Sequence, residues 1–395
     1  MTIEDIGSMM DFSFFNPTRV LFGRTALSQM TALVPAGARI LILYGGGSVV
    51  RNGTLASVQA ALDGYEIHKF GGIEPNPSFE KLMEAVTLVR EQDISFLIAL
   101  GGGSVIDGAK FVAAAVHYDG DPWDILLTRG NRIQSALPLA AIPTLPATGS
   151  EMNGTSVITR SEFSAKRVFR SEHVFPVLAV LDPTLTFTLP PRQVANGIVD
   201  AFVHVLEQYL TYPVDAPIQD RFAESLLRVL LDIADTNLAE PENYDARASL
   251  MWSATLALNG LIGSGVPQDW SSHLIGHELT ALYGLDHART LAVILPAMLA
   301  VRKNEKHAKL LQYAERIWNL HTGSENERID KALSYTKAFF SRLGLETSLS
   351  DYGLGQDAID ALLASLRQSH GNNYALGENW TVSPELARTV LEASL

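Results

Sequence analysis

A chain of 395 residues, 47% hydrophobic and 18% charged, is long enough for two domains with substantial cores and lacks the composition of a disordered protein. Its net charge of −13 argues against nucleic acid or an anionic membrane as a main partner, since either favours a basic surface. The absence of cysteine excludes a disulfide framework, an iron–sulfur cluster and thiolate catalysis.

The first residues, Met1-Thr-Ile-Glu-Asp5, are acidic where a secretory signal is basic, and no apolar run approaches ~18 residues, so cytoplasm is the expected location. Up to about residue 190 short β-branched runs alternate with amphipathic ones, the pattern of βαβ units around a parallel sheet. A buried strand is expected at Arg39–Tyr44, running into the turn Gly45–Ser48, and a second at Tyr65–Phe70. After it Asn76 is the expected cap of a helix whose first position is Pro77. The apolar run Ile94–Leu100 then enters Gly101-Gly-Gly-Ser104-Val-Ile-Asp107, and a helical pattern covers Ala109–His117.

Three consecutive glycines leave backbone N–H groups open to a phosphate, and the following helix adds its positive dipole end, so a pyrophosphate fits there. The third glycine of the Rossmann fingerprint is replaced by Ile106, which points to a different nucleotide fold. A strand at Leu137–Ile142 leads into a loop dense in hydroxyls, Pro143 to Glu151, at the ligand-binding end of the same sheet. Ser156–Phe169 alternates like a β-ribbon turning at Ser161–Glu162 and carrying Lys166, and a last strand is expected at Val177–Leu181.

Thr188-Leu-Pro190-Pro191 then gives a hydroxyl cap and first-turn prolines. Helical runs follow at Val194–Leu210, Ile218–Ala234, Tyr244–Ile262, Leu291–Val301, Ala308–Asn319, Ile329–Leu343 and Leu386–Leu395, with no further strand. The expected organisation is therefore an α/β dinucleotide-binding domain over residues 1–190 and an all-helical domain over 191–395.

The helical half holds the densest chemistry. Asp200 and His204 lie four apart in an apolar segment, so both project from one helix face, where an unpaired carboxylate is costly to bury and a cation removes that cost. His273, His277 and His287 fall within a stretch of eighteen residues, in a chain with ten histidines. An unbroken helix would set His273 and His287 about 21 Å apart at ~1.5 Å per residue, so sharing one ion requires a helix break, for which Gly284 is placed. His277, one turn after His273, competes as its partner, and spacing alone leaves two ligand sets. His277-Glu278 opens like the H-E-x-x-H protease pattern, but Ala281 stands where the second His is required. Four N/O ligands without a thiol suit Fe2+ or Zn2+.

On Asn16–Gly23, the two glycine turns, Pro143–Glu151, Pro190–Gly197 and Gly276–Glu278, the chain resembles the iron-containing, or group III, alcohol dehydrogenases, in the branch of NADP-dependent aldehyde reductases and butanol dehydrogenases. That resemblance implies a two-domain fold like that of dehydroquinate synthase, a homodimer, and NADP(H) with one divalent metal as cofactors. It implies a metal held by Asp200, His204, His273 and His287, with His277 near the nicotinamide. The implied nucleotide site comprises Gly45, Gly46, Ser48, Asn76, Gly102, Gly103, Ser104, Asp107, Thr144, Thr148, Asn153 and Lys166. No acid occurs between Tyr44 and Asp63 to repel a 2′-phosphate, while Ser48 and Arg51 can donate to one. The expected reaction is reduction of a small uncharged aldehyde by NADPH. Two alternatives share the architecture: an NAD-preferring alcohol dehydrogenase, and a carbon–oxygen lyase acting on a phosphorylated sugar acid. The lyase needs a Lys/Arg cluster at the metal, yet only Arg289 occurs between Gly263 and Ala300.

Overall fold

The computed structural model describes residues 7–160, 162 and 165–395. The expected acidic start, Met1–Asp5, and Ser161 of the expected ribbon turn lie outside the described residues. The chain divides into two compact units. The α/β unit comprises Phe15–Pro190 and Ala239–Asn259; the helical unit comprises the N-terminal stretch ending at Phe14, Pro191–Leu238 and Gly260–Leu395. The single boundary expected at residue 190 is thus corrected: residues 239–259 return to the α/β unit and the N-terminal stretch belongs with the helices.

Six parallel strands form the sheet, in spatial order Arg19–Phe22, Leu178–Leu181, Leu139–Pro143, Phe96–Gly101, Arg39–Tyr44 and Glu66–Phe70. The edge strand Arg19–Phe22 was not expected; it is four residues long and half-exposed, so it carries little periodic signal. Side chains alternate between faces. Leu41, Leu43, Leu97, Ala99, Leu139 and Ala141 join one core beneath the helices Phe79–Glu91 and Gly103–Ala115. Ile40, Ile42, Phe96, Ile98, Leu100, Ala140 and Ile142 join another beneath Ala26–Met30 and Thr54–Ala61. Cover on both faces is what allows near-continuous apolar strands.

The Phe79–Glu91 helix buries Leu82, Ala85, Val86 and Val89, an i, i+3, i+4, i+7 stripe. Its cap is Ser78, whose hydroxyl accepts from Lys81 N; Asn76, the expected cap, instead adopts a left-handed conformation at φ 58°. The following helix starts at Gly103, within the glycine turn itself rather than at Ala109. Residues 155–160 and 165–170 form the antiparallel ribbon. Helix Tyr244–Ala257, capped by Asn243, packs Met251 on Ala179 and Leu181 and sets Trp252 edge-on to Phe22 at 5.9 Å.

In the helical unit, Pro191–Tyr209, Pro217–Ala239, Ser271–Tyr283, His287–Val301, His307–Arg316, Glu325–Arg342, Gln356–His370 and Pro384–Ala393 are helices. Gln356–His370 lies in the all-helical domain expected over 191–395 but was not singled out from the sequence. The expectation of no further strand is also corrected: Gly7–Ser8 pairs in parallel with Val214–Asp215. Among the described residues no helix is long and apolar enough to cross a membrane.

Candidate metal centre and nucleotide cradle

Asp200 and His204 project from one face of the Pro191–Tyr209 helix, which is buried from Val194 onward. The Ser271–Tyr283 helix carries His273 and ends at Gly284, whose φ of 68° is left-handed and whose N–H donates to Thr280. Three residues later a new helix opens on His287. The break brings the His273 and His287 rings to 5.1 Å between centroids, where a continuous helix would hold them apart.

Asp200, His204, His273 and His287 each offer one donor atom, and these atoms lie within 4.8 Å of one another. Asp200 Oδ1 is 3.7 Å from His204 Nε2 and 3.6 Å from His287 Nε2, and this buried oxygen has no hydrogen-bond partner. For tetrahedral bonds of about 2.0–2.1 Å, neighbouring donors sit roughly 3.3 Å apart, so a small inward adjustment accommodates one ion. A buried carboxylate oxygen that faces imidazole nitrogens from beyond hydrogen-bond distance fits a cation. His277 lies outside this four-donor set, its ring 5.2 Å from that of His287 and 6.5 Å from that of His273.

Glu207 escaped the sequence reading. Its carboxylate meets His273 Nδ1 and also accepts from Ser272 N at 2.8 Å. An imidazole that gives Nδ1–H to a carboxylate presents Nε2 to a metal, so Glu207 fixes the tautomer and the ring direction. Burial, then Asp269, pushes its carboxyl up to about 8; a divalent ion held by His273 would act in the opposite sense by favouring the ionised acceptor. The signal was present: Asp200, His204 and Glu207 stand at i, i+4 and i+7.

Trp270 precedes this helix in a left-handed conformation, φ 61°, with its ring edge-on to His273 at 5.2 Å. Next to it, Asp269 accepts from Ser271 N and pairs with Arg302 and Lys306 at 2.7 and 2.8 Å; Glu378 completes this buried cluster. Both cations therefore serve the helix start.

In the α/β unit the two glycine turns follow adjacent strands, Tyr44 lying opposite Leu100. Gly45, Gly46 and Ser48 line the first turn, and a Cβ added at Gly46 would meet nothing within 4 Å. Arg51 folds back on it, with Nη1 3.4 Å from where a Cβ on Gly47 would lie. Around the second turn, Gly102, Gly103 and Ser104 meet the Thr144–Thr148 segment: Thr144 N donates to Gly101 O, and a Cβ on Gly103 would fall 2.5 Å from Thr148 Oγ1. Asn76 N donates to Ser104 Oγ at 3.3 Å, and Lys166 Nζ donates to Asn76 Oδ1 at 2.9 Å.

Asp107 and Asn153 are placed differently from the rest. Asp107 accepts from Ser150 Oγ with one oxygen and from Val157 N with the other. Asn153 accepts from Lys110 and Thr155 N and donates to Gly149 and Leu258. Both work within the protein scaffold, a role the sequence had not suggested for either.

Comparison with known proteins defines the class. The iron-containing alcohol dehydrogenase pattern matches residues 17–183, and that of the Fe-containing alcohol dehydrogenase family C-terminal region matches residues 194–382. The chain belongs to the iron-containing alcohol dehydrogenases. Within them it is 56% identical to the NADPH-dependent aldehyde reductase YqhD of Escherichia coli over 98% of this chain and 100% of that one. It is 37% identical to the NADH-dependent butanol dehydrogenase B of Clostridium acetobutylicum, over 90% and 92% of the two chains. The substrate- and cofactor-free form of YqhD superposes with a TM-score of 0.92 at 55% identity, covering 98% of this chain and 100% of that one. The NADH-dependent butanol dehydrogenase A of Thermotoga maritima superposes at 0.93 and 34%, covering 98% and 99%.

Proposed function

We propose that this protein is a metal-dependent oxidoreductase that reduces small uncharged aldehydes to primary alcohols with NADPH. The observation that carries the reading is the four-donor centre, where the buried oxygen of Asp200 faces imidazoles without a hydrogen-bond partner. When bound, the ion supplies Lewis acidity to the carbonyl oxygen and the nicotinamide supplies hydride to the carbonyl carbon, a proton to oxygen completing the alcohol and NADP+.

The chain's own residues do the rest. Asp200, His204, His273 and His287 hold the ion, and Glu207 keeps His273 in the ligating tautomer. His277, beside this set, serves turnover rather than metal retention. Gly102, Gly103 and Ser104, together with Thr144, Thr148, Asn76 and Lys166, cradle the dinucleotide. For the 2′-phosphate, Gly45, Gly46 and Ser48 place no carboxylate, and Arg51 leans over the turn. The likeness to an NADPH-dependent aldehyde reductase supports the same cofactor here.

The lyase alternative is disfavoured by the surroundings of Arg289, which donates to Gly344 O and approaches Asp286. A cytoplasmic homodimer belongs to this reading, and sedimentation of the purified protein checks the assembly. The test of function is NADPH consumption by metal-reconstituted protein with butanal and a panel of simple aldehydes. Turnover with NADPH exceeding that with NADH is the expected result; no consumption with any aldehyde overturns the proposal.

A further inference from the structure

Lys110 is fully buried in the Gly103–Ala115 helix, where an apolar side chain would be the ordinary choice. Its Nζ donates to Ser150 Oγ at 2.7 Å, Asn153 Oδ1 at 3.0 Å and the Thr155 carbonyl at 2.8 Å, so all three ammonium hydrogens have acceptors. One turn earlier, Asp107 takes the Ser150 hydroxyl at 2.6 Å. The helix thus holds the segment from Ser150 to Thr155 with a cation and a carboxylate joined through one serine. Ser150 N in turn donates to Thr148 Oγ1 at 3.3 Å, and Thr148 lies directly against the helix start at Gly103. The loop is therefore hydrogen-bonded to the helix at Lys110 and Asp107 and packs closely on it at Gly103, seven residues and roughly 10 Å before Lys110 along the axis.

Burial pushes the Lys110 ammonium down to about 8, with Asp107 and Glu151 acting the other way. A core lysine is costly unless inward-turned acceptors need it, and here three do.

We propose that Lys110 is a positioning residue for the dinucleotide: it pins the Thr148–Asn153 loop onto the helix after the glycine turn and so sets the shape of the pyrophosphate cradle. This rests on the dinucleotide reading above. It acts at the Gly101–Ser104 end and leaves the Gly45–Arg51 end untouched.

The test is direct binding, independent of turnover. Fluorescence titrations of NADPH, and calorimetric titrations of adenosine 2′-monophosphate, are made on metal-loaded wild type, Lys110→Met, Lys110→Arg and Ser150→Ala, each with a melting curve. Lys110→Met should weaken NADPH by about tenfold or more and Ser150→Ala by about threefold, the loss of one buried hydrogen-bonded charge against that of a neutral link. Lys110→Arg should recover part of the loss, and adenosine 2′-monophosphate, which lacks the pyrophosphate, should bind all four alike. Unchanged NADPH affinity with only a lowered melting temperature would make Lys110 a core residue and overturn the proposal. So would equal weakening of both ligands. If Lys110→Met does not fold, Ser150→Ala decides by the same criteria. Failure of wild type to bind NADPH removes the dinucleotide reading and this proposal with it, whereas wild-type binding with unaltered variants removes this proposal alone.

Discussion

Among single residues, the histidines around the candidate metal centre divide by what they touch. His273→Ala and His287→Ala should each lose the metal, whereas His277→Ala should keep it and impair turnover, because only the first two belong to the converging donor set. Metal analysis of the three purified variants decides, and full retention in His287→Ala with loss in His277→Ala reverses the assignment. Glu207→Gln should weaken metal binding by about 10–100-fold, the usual consequence of removing the carboxylate behind a ligating imidazole. A competition titration with a chelator measures it, and an unaltered affinity would reduce Glu207 to a packing role. The candidate donors were legible because helical spacing and an acid in an apolar stretch are local signals, although spacing alone left two ligand sets, one of them with His277, and only the family resemblance chose between them. Lys110 was not: a lone lysine in a helix reads as solvated, and only the tertiary fold shows the acceptors turned toward it.

Whole elements turn on where the backbone must approach something closely. At Gly103 a Cβ falls 2.5 Å from Thr148 Oγ1, so Gly103→Val must displace the loop before any phosphate is considered. NADPH binding should be abolished with the metal retained, and cofactor titration beside a melting curve and metal analysis would show it; unchanged affinity removes this turn from the site. Gly46 offers the opposite case, open space, so Gly46→Asp adds a carboxylate without a steric cost. It should weaken NADPH far more than NADH, by at least ~1.5–3 kcal/mol. Steady-state kinetics with both cofactors check this, and a wild type that prefers NADH sinks the assignment. The five expected sheet strands were readable to within a residue or two because apolar runs bounded by turn residues are local, whereas the half-exposed Arg19–Phe22 carried no such run. Asn76 misled because an Asn before Pro suits both a cap and a left-handed turn, and the hydroxyl of Ser78 won the capping role. The Gln356–His370 helix opens behind Gly355 without a side-chain cap, so its start carried no sequence signal.

For the whole molecule, the two units bind different ligands in the proposed reading. Chelation should lower the unfolding transition of the helical unit, by up to about 4 kcal/mol where free metal stood at 1,000 times its dissociation constant, and NADPH should raise that of the α/β unit. Differential scanning calorimetry with each ligand in turn tests it; no thermal shift on chelation would deny the metal a folding role. The division at 190 could be read from the end of the strand pattern. The return of residues 239–259 could not, because an amphipathic helix states that it needs an apolar partner without stating which one.

That return has a consequence for biosynthesis. Ala179 and Leu181 receive Met251, and the buried Glu151 receives the hydroxyl of Thr255, from a segment completed only at Asn259, roughly seventy residues after Pro190. At about 5–20 residues per second the ribosome needs several seconds to supply it. During that interval the nascent sheet carries uncovered apolar side chains at Ala179 and Leu181 and a carboxylate awaiting its donor. A nascent chain stalled once residue 190 has cleared the exit tunnel therefore presents chaperones with an unfinished α/β unit rather than an independent domain, and one stalled late enough for residue 259 to clear it presents a finished one.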